Sequence, residues 1–211
     1  SAAPATDQQL PLSCHANFFA MTNKADLKLL FLGDSVTDWL PRNGESSWTK
    51  LATYHPADLG VMADRTEHLL WRIAHGELSG MHPEVTVILI GVNNIHQCPD
   101  EQPQWVAAGI EKIVRTVHQE LPETKVLLLG IFPAGNSPTD PQRQKILEIN
   151  QIISKLDDGN KTRYLDISKK FLESNEILPK ATFPDGLHPN ERGYEIWYEA
   201  MQPLLSKMME Q

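Results

Sequence analysis

At 211 residues the chain can bury one sizeable core, and 41% hydrophobic with 22% charged residues is an ordinary globular composition. A formal net charge of -8 argues against a nucleic-acid partner, which calls for a clustered basic face. No apolar run approaches the ~18 residues that a membrane-spanning helix needs.

Residues 1–13 are polar and Pro-containing and read as a loose arm, leaving 14–211 as a single domain. The small-residue start Ser1-Ala2-Ala3-Pro4-Ala5 resembles the mature side of a signal cleavage site, so an extracytoplasmic location is the expectation, with a cytoplasmic one kept open. Cys14 and Cys98 form no metal-ligand spacing. They read most plainly as buried free thiols, a disulfide from arm to body being the other reading.

Short apolar runs at 27–32, 85–90 and 126–131 are bounded by glycine or followed by proline. Their length and β-branched content fit strands buried on both faces, hence a parallel sheet. Two weaker strands fit at 57–62 and 162–167. Between them lie apolar stripes at helical spacing over 66–73, 105–121 and 140–156, the last opened by Asp140-Pro141 as cap and first helical residue. A final helix is expected over 191–208 after Asn190, with Pro203 kinking or interrupting it. This alternation predicts an α/β fold: a doubly wound α/β/α sandwich with about five parallel strands.

In such a fold ligands sit beyond the carboxyl ends of the strands, and four strand ends carry reactive residues. The first is Gly33-Asp34-Ser35-Val36, where Ser35 is a candidate nucleophile, although alone it reads more readily as a helix cap. The second, around Ala63 and Asp64, opens a helix. Asp64 and Glu67 have capping-box spacing, and the local amides suit an oxyanion. The third, Gly91-Val92-Asn93-Asn94, can aim a side-chain amide at the same point, or form an Asx-turn. The fourth is Asp185-Gly186-Leu187-His188-Pro189. Among eight histidines, only His188 has an Asp three residues earlier in a Gly/Pro-rich turn just before a capped helix. A carboxylate there can orient the imidazole, though a lone Asp-x-x-His also fits a solvated turn or half a metal site.

Taken together and in order, these blocks resemble the SGNH branch of the GDSL hydrolases over about residues 15–207. The stretch from Asp64 to Leu78 is similar to the platelet-activating-factor acetylhydrolase catalytic subunits and their bacterial relatives. The resemblance implies a flavodoxin-like three-layer α/β/α fold and a serine esterase acting on short acyl esters, acetyl esters in particular, through a covalent acyl-enzyme and with neither metal nor cofactor. It implies Ser35, Asp185 and His188 as the triad, with Ser35, Ala63 and Asn93 supplying the oxyanion hole. Two positions depart from the family pattern: Ala63 replaces a usual Gly and Asp58 a frequent Asn. Alanine keeps the N–H, so the hole is expected to form, with side-chain strain if φ is positive there.

Asp34 is expected to brace the Ser35 turn, Trp39 and Leu187 to line an acyl pocket, and the loop 133–141 to border the site. The substrate partner is a small-molecule or glycan acyl ester, and a homodimer stays open. Two competing classes are a carbohydrate- or lipid-binding module that has lost turnover, and a metal-dependent phosphatase using Asp34, Asp38 and a histidine.

Overall fold

The computed structural model describes residues 26–135 and 137–210. The arm at 1–13 and Cys14 lie outside the described residues. Five strands form one wholly parallel sheet in the order β2-β1-β3-β4-β5. They are β1 (Leu29–Gly33), β2 (Pro56–Asp58), β3 (Val85–Leu89), β4 (Lys125–Leu129) and β5 (Thr162–Leu165). That is the flavodoxin-like doubly wound order.

The apolar runs lack alternation because both faces of the sheet are covered. Leu30, Leu32, Ile88, Val126 and Leu128 face a core shared with the helices Thr66–Ala74, Pro103–Glu120 and Pro141–Ile153. Leu29, Phe31, Val87, Leu127 and Leu129 face a second core, closed by Glu45–Leu51 and by Trp197, Met201 and Leu205 of the helix Glu191–Met209. This makes three layers.

Two expectations need correction. The last helix runs through Pro203 without interruption. Buried Trp197, Met201, Leu205 and Met208 anchor it on both sides of the proline, and that burial outweighs one missing backbone hydrogen bond. The second strand stops at Asp58 rather than running to 62. There the Asp58 carboxylate accepts the Gly60 N–H at 2.6 Å and bends the chain, although the Leu59 and Val61 amides still donate to the Phe31 and Gly33 carbonyls of β1.

From β1 the chain winds outward to β2, then returns past β1 to β3. The switch point therefore lies between β1 and β3, with Ser35 beyond one strand and Asn93 beyond the other. No helix among the described residues is long and apolar enough to cross a membrane.

Candidate active site

Ser35 is the first residue of a short helix, Ser35–Asp38, that begins directly off β1. Asp34 caps it, its Oδ1 accepting the Val36 N–H at 2.9 Å, as its expected bracing role requires. Burial pushes the Asp34 carboxyl up to about 7, opposed by that hydrogen bond and aided by the nearby charge of Asp64. The turn is packed so tightly that glycine is required on both sides of it. A Cβ on Gly33 would overlap the Leu89 carbonyl of β3, and one on Gly60 would overlap Thr37 and the Asp38 amide. Gly33 thus serves close approach, because its φ is not positive.

The fourth block meets the first across 153 residues: Ser35 Oγ lies 2.9 Å from His188 Nε2. His188 Nδ1 lies 2.7 Å from Asp185 Oδ2. Asp185 Oδ1 accepts the backbone N–H groups of Leu187 and His188 at 2.9 and 2.7 Å. Burial pushes the Asp185 carboxyl up, but these hydrogen bonds and the facing imidazole prevail and hold it below the usual carboxylate range. A hydroxyl, an imidazole and an ionised carboxylate in file can pass a proton from oxygen to nitrogen while the carboxylate steadies the cation formed. Trp39, expected in the pocket wall, instead stacks on the His188 ring at 4.3 Å between centroids and 27° between planes.

The second and third blocks are joined by hydrogen bonds. Asn93 is buried, and its Nδ2 donates to the Asp64 carbonyl at 3.0 Å, which fixes the amide and leaves its other N–H for a ligand. Asn94 performs a different task. Its Oδ1 accepts the Thr66 N–H at 3.0 Å and so caps the helix Thr66–Ala74 from the short helix Val92–Gln97 that follows β3.

The expected Asp64–Glu67 capping box does not form. That helix starts at Thr66, and its local cap contact is the Arg65 N–H to His68 Nδ1 at 3.2 Å. Asp64 turns inward to pair with Arg72 at 2.8 Å, and Arg72 pairs in turn with Glu77. A buried ion pair won over a local spacing rule. The helix terminus therefore does not supply the anion-binding amides.

Ala63 sits at the third position of a turn closed by the Asp64 N–H on the Val61 carbonyl at 3.1 Å. Its φ is +65°. That position of a type II turn favours glycine, and an L-residue there costs roughly 1–2 kcal/mol. The departure from glycine thus carries strain. The Ala63 N–H has no hydrogen-bond acceptor among the described residues.

A small pocket beside Ser35 is lined by Asp34, Val36, Leu89, Ile90, Val92, Ile131, Phe132 and Leu187. Leu187 lies where expected. Ile131 and Phe132, which follow β4, line the pocket, whereas the expected loop 133–141 contributes none of its lining residues; it reaches the site through Gly135, whose N–H donates to the Gly186 carbonyl between Asp185 and His188 at 3.0 Å. Among the described residues no group of three or more His, Cys, Asp or Glu could hold a metal ion. Asp38 is paired with Arg42 at 2.7 Å. Cys98, half-buried, accepts a hydrogen bond from Arg65 at 3.0 Å, and its relation to Cys14 falls outside the described residues.

Two further polar side chains escaped the sequence reading. Arg143 and Asn150 lie on the buried face of Pro141–Ile153 with Ile146, Ile149 and Ile153. Polar residues interrupting an apolar helical stripe were the available signal.

A doubly wound parallel sheet that brings a serine, a histidine and an aspartate together beyond its strand ends is the fold of an SGNH-type hydrolase. The model of the GDSL-like lipase/acylhydrolase family matches residues 31–196. The chain belongs to that family and is a carboxylic ester hydrolase. It is 30% identical over 202 residues to the human platelet-activating factor acetylhydrolase IB subunit alpha1, covering 95% of this chain and 84% of the relative. Among solved structures, a GDSL-like lipase from Bacteroides thetaiotaomicron matches with a TM-score of 0.77 at 19% identity, over 93% of this chain and 97% of that one. An acetyl xylan esterase matches with a TM-score of 0.73 at 22% identity, over 85% of this chain and all of that one. At these identities the two structures speak for the fold.

Proposed function

We propose that this protein hydrolyses short acyl esters, acetyl esters foremost, through a Ser35–His188–Asp185 triad and a covalent acyl-enzyme. The observation that carries the reading is the unbroken file from Ser35 Oγ to His188 Nε2, at 2.9 Å, and from His188 Nδ1 to Asp185, at 2.7 Å.

In the first half-reaction His188 Nε2 takes the Ser35 proton as Oγ attacks the ester carbonyl. Asp185 keeps Nδ1 protonated and the ring oriented. The backbone N–H groups of Ser35 and Ala63 and the side chain of Asn93 receive the oxyanion. Collapse expels the alcohol, which leaves with the proton held on His188. Water then attacks the acyl-Ser35 ester with the same imidazole as base, releasing the carboxylic acid and restoring the hydroxyl.

Preference for a short acyl chain is supported by the small pocket closed by Leu89, Ile90, Phe132 and Leu187. The names of an acetylhydrolase relative and an acetyl xylan esterase neighbour point the same way. The alcohol portion fits a small molecule or a glycan. A series of p-nitrophenyl esters tests this: turnover falls as the acyl chain grows beyond acetyl and butyryl, and Ser35→Ala abolishes all of it. Equal turnover of octanoyl esters contradicts the short-chain reading, and an active Ser35→Ala contradicts the triad.

A further inference from the structure

The buried guanidinium of Arg143 has no carboxylate among its hydrogen-bond partners. Its three nitrogens are spent on main-chain carbonyls: Nε on Ala134 at 3.3 Å, Nη2 on Gly135 at 2.6 Å and Nη1 on Glu176 at 3.1 Å. Placing a cation at 4% exposure is costly unless it is fully hydrogen-bonded. Burial lowers its proton affinity, while Asp140 and Glu176 nearby oppose that effect.

The carbonyls it holds belong to two loops that arrive from different directions, one after β4 and one before the Asp185–His188 turn. Glu176 has a φ of +62°, so its loop is held in a conformation that an L-residue resists. About two turns farther along the same buried face, Asn150 clamps the start of the first loop, its side chain exchanging hydrogen bonds with the Ile131 N–H and carbonyl at 2.8 and 2.9 Å. Ile131 and Phe132 line the pocket. Gly135 then passes the constraint onward, its N–H on the Gly186 carbonyl at 3.0 Å. Gly186 stands between the carboxylate and the imidazole of the proposed triad.

We infer that Arg143 is a positioning residue for ester hydrolysis, setting the Asp185–His188 turn through the Gly135–Gly186 backbone hydrogen bond. The inference rests on the triad reading above. The carbonyl oxygens fix the loop, the loop fixes the turn, and the turn sets the distance from His188 Nε2 to Ser35 Oγ. A guanidinium presents its N–H groups from three separated nitrogens in a rigid plane, which matches carbonyls arriving from two loops, whereas a lysine ammonium offers its three donors from a single point.

The test is steady-state hydrolysis of p-nitrophenyl acetate by wild type, Arg143→Lys and Arg143→Met, each checked for folding by thermal melt. A misplacement of about 1 Å at a reacting centre costs ~10² in rate, so kcat should fall ~10²-fold in Arg143→Met with KM nearly unchanged. Arg143→Lys, which keeps the charge and part of the hydrogen bonding, should recover a portion of kcat. The downfield proton resonance of the His188–Asp185 hydrogen bond should broaden or move in both variants, which a merely stabilising role would not cause in a protein that remains folded. If Arg143→Met fails to fold, Arg143→Lys carries the decision by the same two readouts. A folded variant with wild-type kcat and an unmoved resonance overturns the inference, as does a loss confined to KM. Ser35→Ala, assayed alongside, separates the two levels. Turnover surviving there removes the triad reading itself, whereas a dead Ser35→Ala beside a fully active Arg143→Met removes only the role of Arg143.

Discussion

Replacing Ala63 with glycine relieves a strain located in the proposed oxyanion hole. With φ at +65°, Ala63 occupies the left-handed region, at a cost of roughly 1–2 kcal/mol for an L-residue. Glycine does not bear that cost, but it adds unfolded-state entropy worth ~0.4–1 kcal/mol in the opposite direction. The difference favours Ala63→Gly by about 0.5–1 kcal/mol, which corresponds to a rise in Tm of ~1–4 °C for a domain of this size. Both residues carry the same N–H, and loss of a whole oxyanion donor costs ~10²–10³ in rate. The substitution should therefore leave kcat within about twofold of wild type. Thermal unfolding and p-nitrophenyl acetate kinetics on the same preparation read both quantities. A fall in Tm refutes the strain argument. A rise in kcat of tenfold or more refutes the placement of the Ala63 amide, since it would mean that alanine holds the donor away from the reacting carbonyl.

Asn93→Ala removes a buried side-chain donor held by the Asp64 carbonyl and should lower kcat by ~10²–10³ with little change in KM; unchanged kcat takes Asn93 out of the hole. Asp58→Asn tests the second departure from the family pattern. Burial chiefly, against the Gly60 N–H, pushes the Asp58 carboxyl from 3.8 up to about 7. Between those two values the native state holds a proton that the unfolded chain has released, so the carboxyl's contribution to stability declines as pH rises and is fully unfavourable above about 7. The stability of Asp58→Asn relative to wild type should therefore increase from pH 4 to pH 7 by a few kcal/mol, at ~1.4 kcal/mol per tenfold change in proton affinity, and then level off. Chemical denaturation at three pH values measures it, and a pH-independent difference contradicts the assignment.

Much of the architecture could be read from the chain because continuous apolar runs such as Val85–Leu89 have no other economical fate than a sheet covered on both faces. The helix faces were legible from spacing for the same reason. The Asp185–His188 pair was legible because three residues within one turn bring the carboxylate to the imidazole locally. Ser35 was legible as a candidate only in company with the other three blocks, and it is the fold that carries it across 153 residues to His188.

What local rules missed was tertiary. Asp64 and Glu67 have the spacing of a cap, yet Arg72, eight residues on, captures Asp64. The Trp39 stack on His188 depends on how two loops from opposite ends of the chain meet. Arg143 works through main-chain carbonyls, which leave no trace in residue identity. Its position on a buried stripe was the one sign available.

The central claim is that Ser35 is the nucleophile armed by His188, and covalent capture tests it without reference to any natural substrate. An alkyl fluorophosphonate is incubated with wild type, Ser35→Ala and His188→Ala, and the products are read by intact mass and peptide mapping. The account predicts stoichiometric labelling of the peptide bearing Ser35 in step with loss of esterase activity, no label in Ser35→Ala, and labelling slowed by orders of magnitude in His188→Ala. Inactivation with the label on another residue, or persistent esterase activity in a fully labelled Ser35 enzyme, would contradict it.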